Sequence, residues 1–259
     1  MNEANLNRRW NWLIPGLLAI LPWGCASQGE EEKVRTARSA QNPTRYGQVE
    51  GIVRLNGKKW PSPTLVRNTT DPESCNSEQS LEDLLVSSKN RGIQNVILAL
   101  GDVPAEKIPA FQPRRLQLDN RDCRFLPHAG VMETGGVIEA ANGDPLHHTV
   151  HFYGALEANV SLPFQGVRVP KKVNGSGMIM VKCDLHGWMQ AYIRVDDHPF
   201  HAVTGPDGAF RIRDVPAGRY VVEVWHERLG ERKESVTIVG GDTVFLEIGY
   251  PFPEIASSK

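Results

Sequence analysis

The stretch Val181-Lys-Cys-Asp-Leu-His-Gly-Trp-Met-Gln190 carries a thiol, an imidazole and a thioether at regular spacing, Cys183-x-x-His186-x-x-Met189. These three form a soft donor set that suits copper, and they leave a four-donor site one ligand short. Upstream, His147, His148 and His151 lie close together and could supply it. Residues two apart share a face of a strand, so spacings of one and three prevent all three histidines from pointing the same way. Zinc competes for cysteine and histidine, and Met189 argues against it. A dinuclear copper centre needs a second cysteine in the loop, and a multicopper oxidase normally carries His-x-His pairs; the sequence has neither. Each donor also has an ordinary use, core packing for Cys183 and Met189 and surface hydrogen bonding for His148.

Positioning these donors requires strands on both sides of the loop. Ile179, Val181 and Cys183 alternate with Met180 and Lys182, which predicts a strand that ends with the thiol facing inward. Met189, Ala191, Ile193 and Val195 alternate in the same way and predict a second strand, the pair forming the edge of a β-sandwich. Further upstream, Val131, Gly135-Gly136, Val137, Asn142 and Asp144-Pro145 predict two strands, a turn and a loop that delivers the histidines.

The pattern Phe125-x-Pro127, Val131, Gly135 or Gly136, Asn142 and His148-Thr-Val-His151-Phe resembles the first ligand-bearing half of a plastocyanin-type cupredoxin. The loop Cys183-x-x-His186-x-x-Met189 is similar to the short ligand loop of amicyanin. The resemblance covers residues 119–195 and implies one mononuclear blue-copper site with ligands His148, Cys183, His186 and Met189. It further implies an electron exit at the ring edge of His186, and a docking patch for a redox partner formed by Pro145, Leu146 and Trp188; packing under the loop is the other use of Trp188. In that family a proline precedes the first ligand histidine and an asparagine follows it. Here His147 and Thr149 stand in those places, which puts the hydrogen bonds around the ligand in question. The remaining histidines, including His128, His198, His201 and His226, are expected to be solvated or hydrogen-bonded.

The chain has 259 residues, with 29 Lys and Arg against 30 Asp and Glu, and no basic stripe interleaved with aromatics, which excludes a nucleic-acid groove. Short Val- and Ile-rich runs among 24 Gly and 18 Pro predict an all-β chain. Residues 1–25 place Arg8 and Arg9 before an apolar run and end Leu-Pro-Trp-Gly-Cys25, the layout of an export signal. The run is too short for a comfortable membrane span of ~20 apolar residues. Its end resembles a lipoprotein cleavage box, which implies lipidation of Cys25 and anchoring in the periplasm or cell envelope of a bacterium; ordinary cleavage is the alternative. Residues 26–45 are expected to form a flexible linker. Outside the cytoplasm each cysteine needs a fate. If Cys25 carries lipid and Cys183 a metal, Cys75 and Cys123 remain to form a disulfide; a pairing that uses Cys183 is the alternative.

Residues 200–230 carry turns at Gly205-Pro-Asp-Gly208 and Pro216-Ala-Gly218 around valine-rich strands, and a hairpin is expected around Gly240-Gly241-Asp242. This stretch resembles the carboxypeptidase regulatory-like, transthyretin-like β-sandwich, with Gly205 in place of the usual aspartate. The opening strands of such a sandwich are missing between 196 and 203, and strands of the required character occur at 46–60, with Asn56-Gly57 as a hairpin signal, and at 92–102. The expected layout is therefore a cupredoxin Greek-key β-sandwich at 119–195 inserted into a transthyretin-like domain made of 46–118 and 196–252, followed by a tail at 253–259. A separate N-terminal β-unit is the alternative.

The functional expectation is an exported blue-copper electron carrier with an unidentified redox partner, bound to the membrane by its lipid and to no nucleic acid. Copper storage or delivery, and a binding module with a structural metal, are the alternatives. No acid/base pair or nucleophile constellation stands out, and no enzyme activity is expected.

Overall fold

The computed structural model of the protein describes residues 45–252. The expected signal, Cys25, nearly all of the 26–45 linker and the 253–259 tail lie outside them. Among the described residues the chain is nearly all β, and no helix is long and apolar enough to cross a membrane.

Two pairs of sheets each enclose a core. In the first pair, β1 (Tyr46–Leu55) lies between β15 (Ala209–Pro216) and β18 (Thr243–Tyr250). The facing sheet has the order β14 (His201–Val203), β4 (Ile97–Gly101), β16 (Gly218–His226), β17 (Gly230–Ile238). Alternation drives the packing: along β16, Tyr220, Val222 and Val224 turn inward, to meet Val49 and Val53 of β1 and Ile248 of β18 in one buried cluster. The turn at 205–208 is closed by the Gly208 N–H donating to the Gly205 carbonyl at 2.9 Å. Gly208 has φ +78° and lies so close to β1 that a Cβ would meet the Val53 carbonyl at 2.4 Å, so only glycine fits there.

The second pair starts from β9 (His148–Gly154), in a five-stranded sheet ordered β10 (Ala158–Leu162), β9, β12 (Gly177–Lys182), β13 (Gln190–Asp196), β7 (Ala129–Glu133). Opposite it runs the order β11 (Arg168–Lys172), β8 (Val137–Asn142), β5 (Arg115–Arg121), β6 (Arg124–Leu126). Phe152, Ile179, Val181, Ala191 and Ile193 from one sheet meet Leu118, Phe125, Ile138 and Ala140 from the other. The two cores meet at a smaller cluster of Ile97, Ala129 and Val131, against which Tyr192 and Trp225 pack.

Three local expectations need correction. Strands β12 and β13 are interior strands of their sheet, not an edge, because β9 and β7 flank them. The Gly240-Gly241-Asp242 turn does not close a hairpin. It carries the chain from the sheet of β17 to the sheet of β18, drawn across by Gly241 N–H to the Tyr46 carbonyl and Gln48 N–H to the Asp242 carbonyl. Asn56-Gly57 likewise ends β1 without a hairpin partner, because both edges of β1 are already paired with β15 and β18.

Residues 56–83, before the chain returns to its core at Leu84, Ile93 and Val96, leave the first pair of sheets. They hold a two-stranded ribbon, β2 (Leu65–Arg67) and β3 (Glu78–Ser80), and a single helical turn α1 (Pro72–Cys75) between its strands. Cys75 is bonded to Cys123, in the turn between β5 and β6, with 2.01 Å between sulfurs.

Candidate metal centre

Strand β12 ends at Lys182, and the alternation that buries Ile179 and Val181 also buries Cys183. The chain then loops out and returns as β13. The loop is closed at its mouth by the Cys183 N–H donating to the Met189 carbonyl at 3.3 Å, and within it the Met189 N–H donates to the His186 carbonyl at 2.9 Å. This closure holds the two ends of a Cys-to-Met loop together and sends His186 inward. On β9, His148, Val150 and Phe152 face the core while Thr149 and His151 face the other way, and His147 lies exposed just before the strand.

The result is a cluster of His148, Cys183 and His186, whose ligand atoms all lie within 4.8 Å of one another. The Cys183 Sγ is 3.9 Å from Nδ1 of His148 and 3.6 Å from Nδ1 of His186. Metal–nitrogen and metal–sulfur bonds of about 2.0 and 2.3 Å at an angle near 120° separate N from S by about 3.7 Å, so the observed spacing accommodates one ion. Both histidines are completely buried and Cys183 is 3% exposed. Met189, 2% exposed, packs in the same buried cluster as Cys183.

Carboxylates set the outer nitrogens. Nε2 of His148 lies 3.0 Å from Oδ2 of Asp144, and Nε2 of His186 lies 3.0 Å from Oδ2 of Asp71. A histidine that gives its outer N–H to a carboxylate presents the other nitrogen as the donor to a metal. The Asp144 carboxylate is itself held by the N–H groups of Asp122 and Cys123 at 2.8 and 3.0 Å. Thr149 turns its N–H to the Cys183 Sγ at 3.4 Å, and its hydroxyl accepts the Asp184 N–H at 2.8 Å. Burial raises the Cys183 pKa, yet hydrogen bonds from His148, His186 and the Thr149 backbone outweigh it and bring the thiol down to about 5. For His186, burial opposes the charged form, and Cys183 and Asp71 more than compensate, so its pKa is raised.

A second grouping joins Cys123, Asp144 and His148. Cys123 is already committed to the disulfide and offers no thiolate, so this grouping is no separate metal site.

The other residues singled out in the sequence lie around this cluster. The ring edge of His186 is not an exposed exit: the ring is fully buried, and its outer nitrogen is bonded to Asp71. Pro145 is exposed, Leu146 half-buried, and Trp188 half-buried with its indole N–H donated to the Cys123 carbonyl at 3.1 Å. His147 is exposed and pairs with the Ser161 hydroxyl at 2.9 Å. His151 stacks on Tyr153 at 4.1 Å and meets Asp184 at 3.0 Å. Farther away, His201 is buried between Glu133 and Asp196, at 3.2 and 2.9 Å.

Asp71, Asp144 and the contacts of Thr149 are the site residues that sequence reasoning did not find. Asp144 lies four residues before His148 in a stretch already of interest, so a search for carboxylates near the ligands could have raised it. Asp71 lies 115 residues from His186 and has no local signal.

No protein-family model matches the chain, and no curated protein matches it. Among solved structures, the Cu-containing nitrite reductase (NirK) from Thermus scotoductus SA-01 matches 36% of this chain at 18% identity and a TM-score of 0.29. The match spans only 27% of the nitrite reductase chain. A point mutant of amicyanin in its Cu(I) form matches 38% of this chain and 97% of its own, at 17% identity and a TM-score of 0.28. A purple cupredoxin from Nitrosopumilus maritimus matches 31% of this chain and 98% of its own, at 16% identity and a TM-score of 0.28. The structural neighbours are cupredoxins, and at such identities and TM-scores the likeness carries no functional argument. The expectation of no enzyme activity is corrected here, because the neighbours include a reductase beside the amicyanins, and cupredoxin neighbours therefore do not set this chain apart from enzymes.

Proposed function

We propose that this chain is an exported copper protein with one mononuclear centre at His148, Cys183, His186 and Met189, and that it passes electrons to and from a partner protein. The observation that carries this reading is the buried trio of two Nδ1 atoms around one thiol, with a methionine at the end of the same loop. Copper bound there would supply a one-electron couple. The chain's own contribution is to hold its donors in place beforehand: carboxylates fix both imidazoles, and Thr149 bonds the thiol and ties strand β9 to the ligand loop.

The proposal extends to the setting of the site. It includes lipidation at Cys25, an envelope location and a cupredoxin unit inserted into a transthyretin-like sandwich. Support for the insertion comes from β1 and β4, which pair with strands beyond residue 200, while strands between 115 and 196 pair among themselves. Complete burial of both histidines favours a second reading, retention of copper for storage or delivery. Reduction potential and copper exchange rate separate the two, since a storage protein holds copper tightly in both oxidation states.

The test is addition of copper(II) to protein lacking residues 1–25. An intense visible thiolate-to-copper band is expected, lost in Cys183→Ser. Absence of the band in the parent protein, or its survival in Cys183→Ser, overturns the reading.

A further inference from the structure

The segment that carries Asp71 belongs to neither pair of sheets, yet it reaches the metal centre from outside. Asp71 stands before α1 with φ 48° and ψ 47°, a left-handed conformation that a non-glycine residue adopts at a cost. Its carbonyl accepts the N–H groups of Ser74 and Cys75 at 3.0 and 2.8 Å. Asn68, 4% exposed, braces the same bend: its side-chain oxygen accepts the Thr70 N–H at 2.8 Å, and its amide donates to the Asn76 carbonyl at 2.7 Å. The disulfide from Cys75 then fastens the bend to Cys123.

Cys123 is also where the rest of the site is tied down. Its N–H holds the Asp144 carboxylate that bonds His148, and its carbonyl accepts the Trp188 indole N–H from the ligand loop. One covalent bond thus joins the carboxylate that orients His148 to the segment that orients His186. The Asp71 side chain is 43% exposed while His186 is fully buried. The carboxylate therefore keeps its hydration on one side while receiving the imidazole N–H on the other, an arrangement that avoids most of the cost of burying a charge.

We infer that Asp71 is a positioning residue for the copper centre: delivered by the disulfide-fastened segment 68–79, it takes the Nε2 proton of His186 as a hydrogen bond and thereby commits Nδ1 to the metal. A second consequence follows from the same contact. A partner protein cannot use the outer nitrogen of His186 while Asp71 occupies it. The inference rests on the copper reading for its functional meaning, but the hold of Asp71 on the ring is a property of the protein without metal.

The experiment compares the parent protein lacking residues 1–25 with Asp71→Ala and Asp71→Asn. Two readouts are taken: the ring N–H resonance of His186 in the metal-free protein by nitrogen-15 NMR, and the rate of copper loss to a chelator after loading. In the parent, a His186 Nε2–H signal protected from exchange with water is expected. In Asp71→Ala it should vanish into exchange, and copper affinity should fall 10- to 100-fold, roughly the range for removal of a group that orients a metal-ligating histidine. Asp71→Asn retains an oxygen acceptor and should restore the protected resonance and most of the affinity. It is isosteric, and it answers the question if Asp71→Ala does not fold: a protected signal with modestly faster copper loss supports the inference. A protected signal in Asp71→Ala, with copper loss at the parent rate, overturns it. So does absence of the protected signal from the parent. If the parent binds no copper as a blue centre, the proposed function fails while the NMR comparison still decides the role of Asp71.

Discussion

The carboxylate of Asp144 sits 3.0 Å from Nε2 of the buried His148, and both its oxygens are anchored by backbone N–H groups in the turn that contains Cys123. A buried histidine is thus fixed through a chain of hydrogen bonds that ends in covalent structure. Asp144→Ala should leave the Asp122 and Cys123 N–H groups unpaired and free the imidazole. Copper affinity should drop roughly 10- to 100-fold, measured by competition with a chromophoric chelator, whereas Asp144→Asn should lose less.

Thr149 stands where the resemblance to cupredoxins leads one to expect an asparagine. Its hydroxyl accepts the Asp184 N–H, joining strand β9 to the ligand loop. Thr149→Val keeps the shape and removes that acceptor. Stability should fall by about 1 kcal/mol in urea denaturation, and the reduction potential should shift, because the loop carrying the thiol loses a tether. An unchanged potential would show that the tether does not act on the metal.

The disulfide closes a loop with a sequence separation of 48 residues. On the chain-entropy account, its removal in a Cys75→Ser/Cys123→Ser double variant should cost about 4 kcal/mol, read from urea midpoints of metal-free protein. The parent under reducing conditions should approach the variant.

His226 makes stability depend on pH. It is 1% exposed, and Nδ1 accepts the Arg228 N–H, which requires an unprotonated nitrogen. Burial, aided by His128 and Arg228 and opposed by Glu227 and Asp83, lowers its pKa from 6.5 to about 4. As pH falls below 6.5 the unfolded chain takes up a proton that the folded one refuses, so stability drops until pH reaches about 4. The loss should be about 3 kcal/mol at ~1.4 kcal/mol per pKa unit. His226→Gln, which retains an acceptor, should flatten the dependence of the urea midpoint on pH across this window.

His201 is buried between Glu133 and Asp196, which also pair with Arg114 and Arg194. His201→Ala removes a buried ring that bonds both carboxylates and should destabilise by about 1–3 kcal/mol through the partners left unsatisfied, with the metal-free protein melting several degrees lower.

Much of the site was legible because donor chemistry and strand alternation are local. Cys183 continues the inward series of Ile179 and Val181, and the structure places it beside His148 and His186. The all-β class was legible from turns and valine-rich runs for the same reason. What stayed hidden depends on long-range pairing. The Gly240-Gly241-Asp242 turn has the composition of a hairpin, and only the claim of β1 on β18 turns it into a crossing between sheets. Asp71 is an ordinary surface aspartate by composition. Its role comes from a bend, a disulfide and a histidine far along the chain, none of which leaves a mark in its own neighbours.

Strand β1 runs parallel to β18, with Val49 opposite Val244, and antiparallel to β15, with Val49 opposite Ile212. Among the described residues the first strand therefore waits for the last before its sheet can assemble, and closing so long a chain segment is slow because entropy is lost before contacts compensate. Strands 115–196 find their partners among themselves and are free to assemble earlier. Refolding should accordingly show the buried thiol of Cys183 protected from thiol reagents before Trp225 fluorescence reaches its final value.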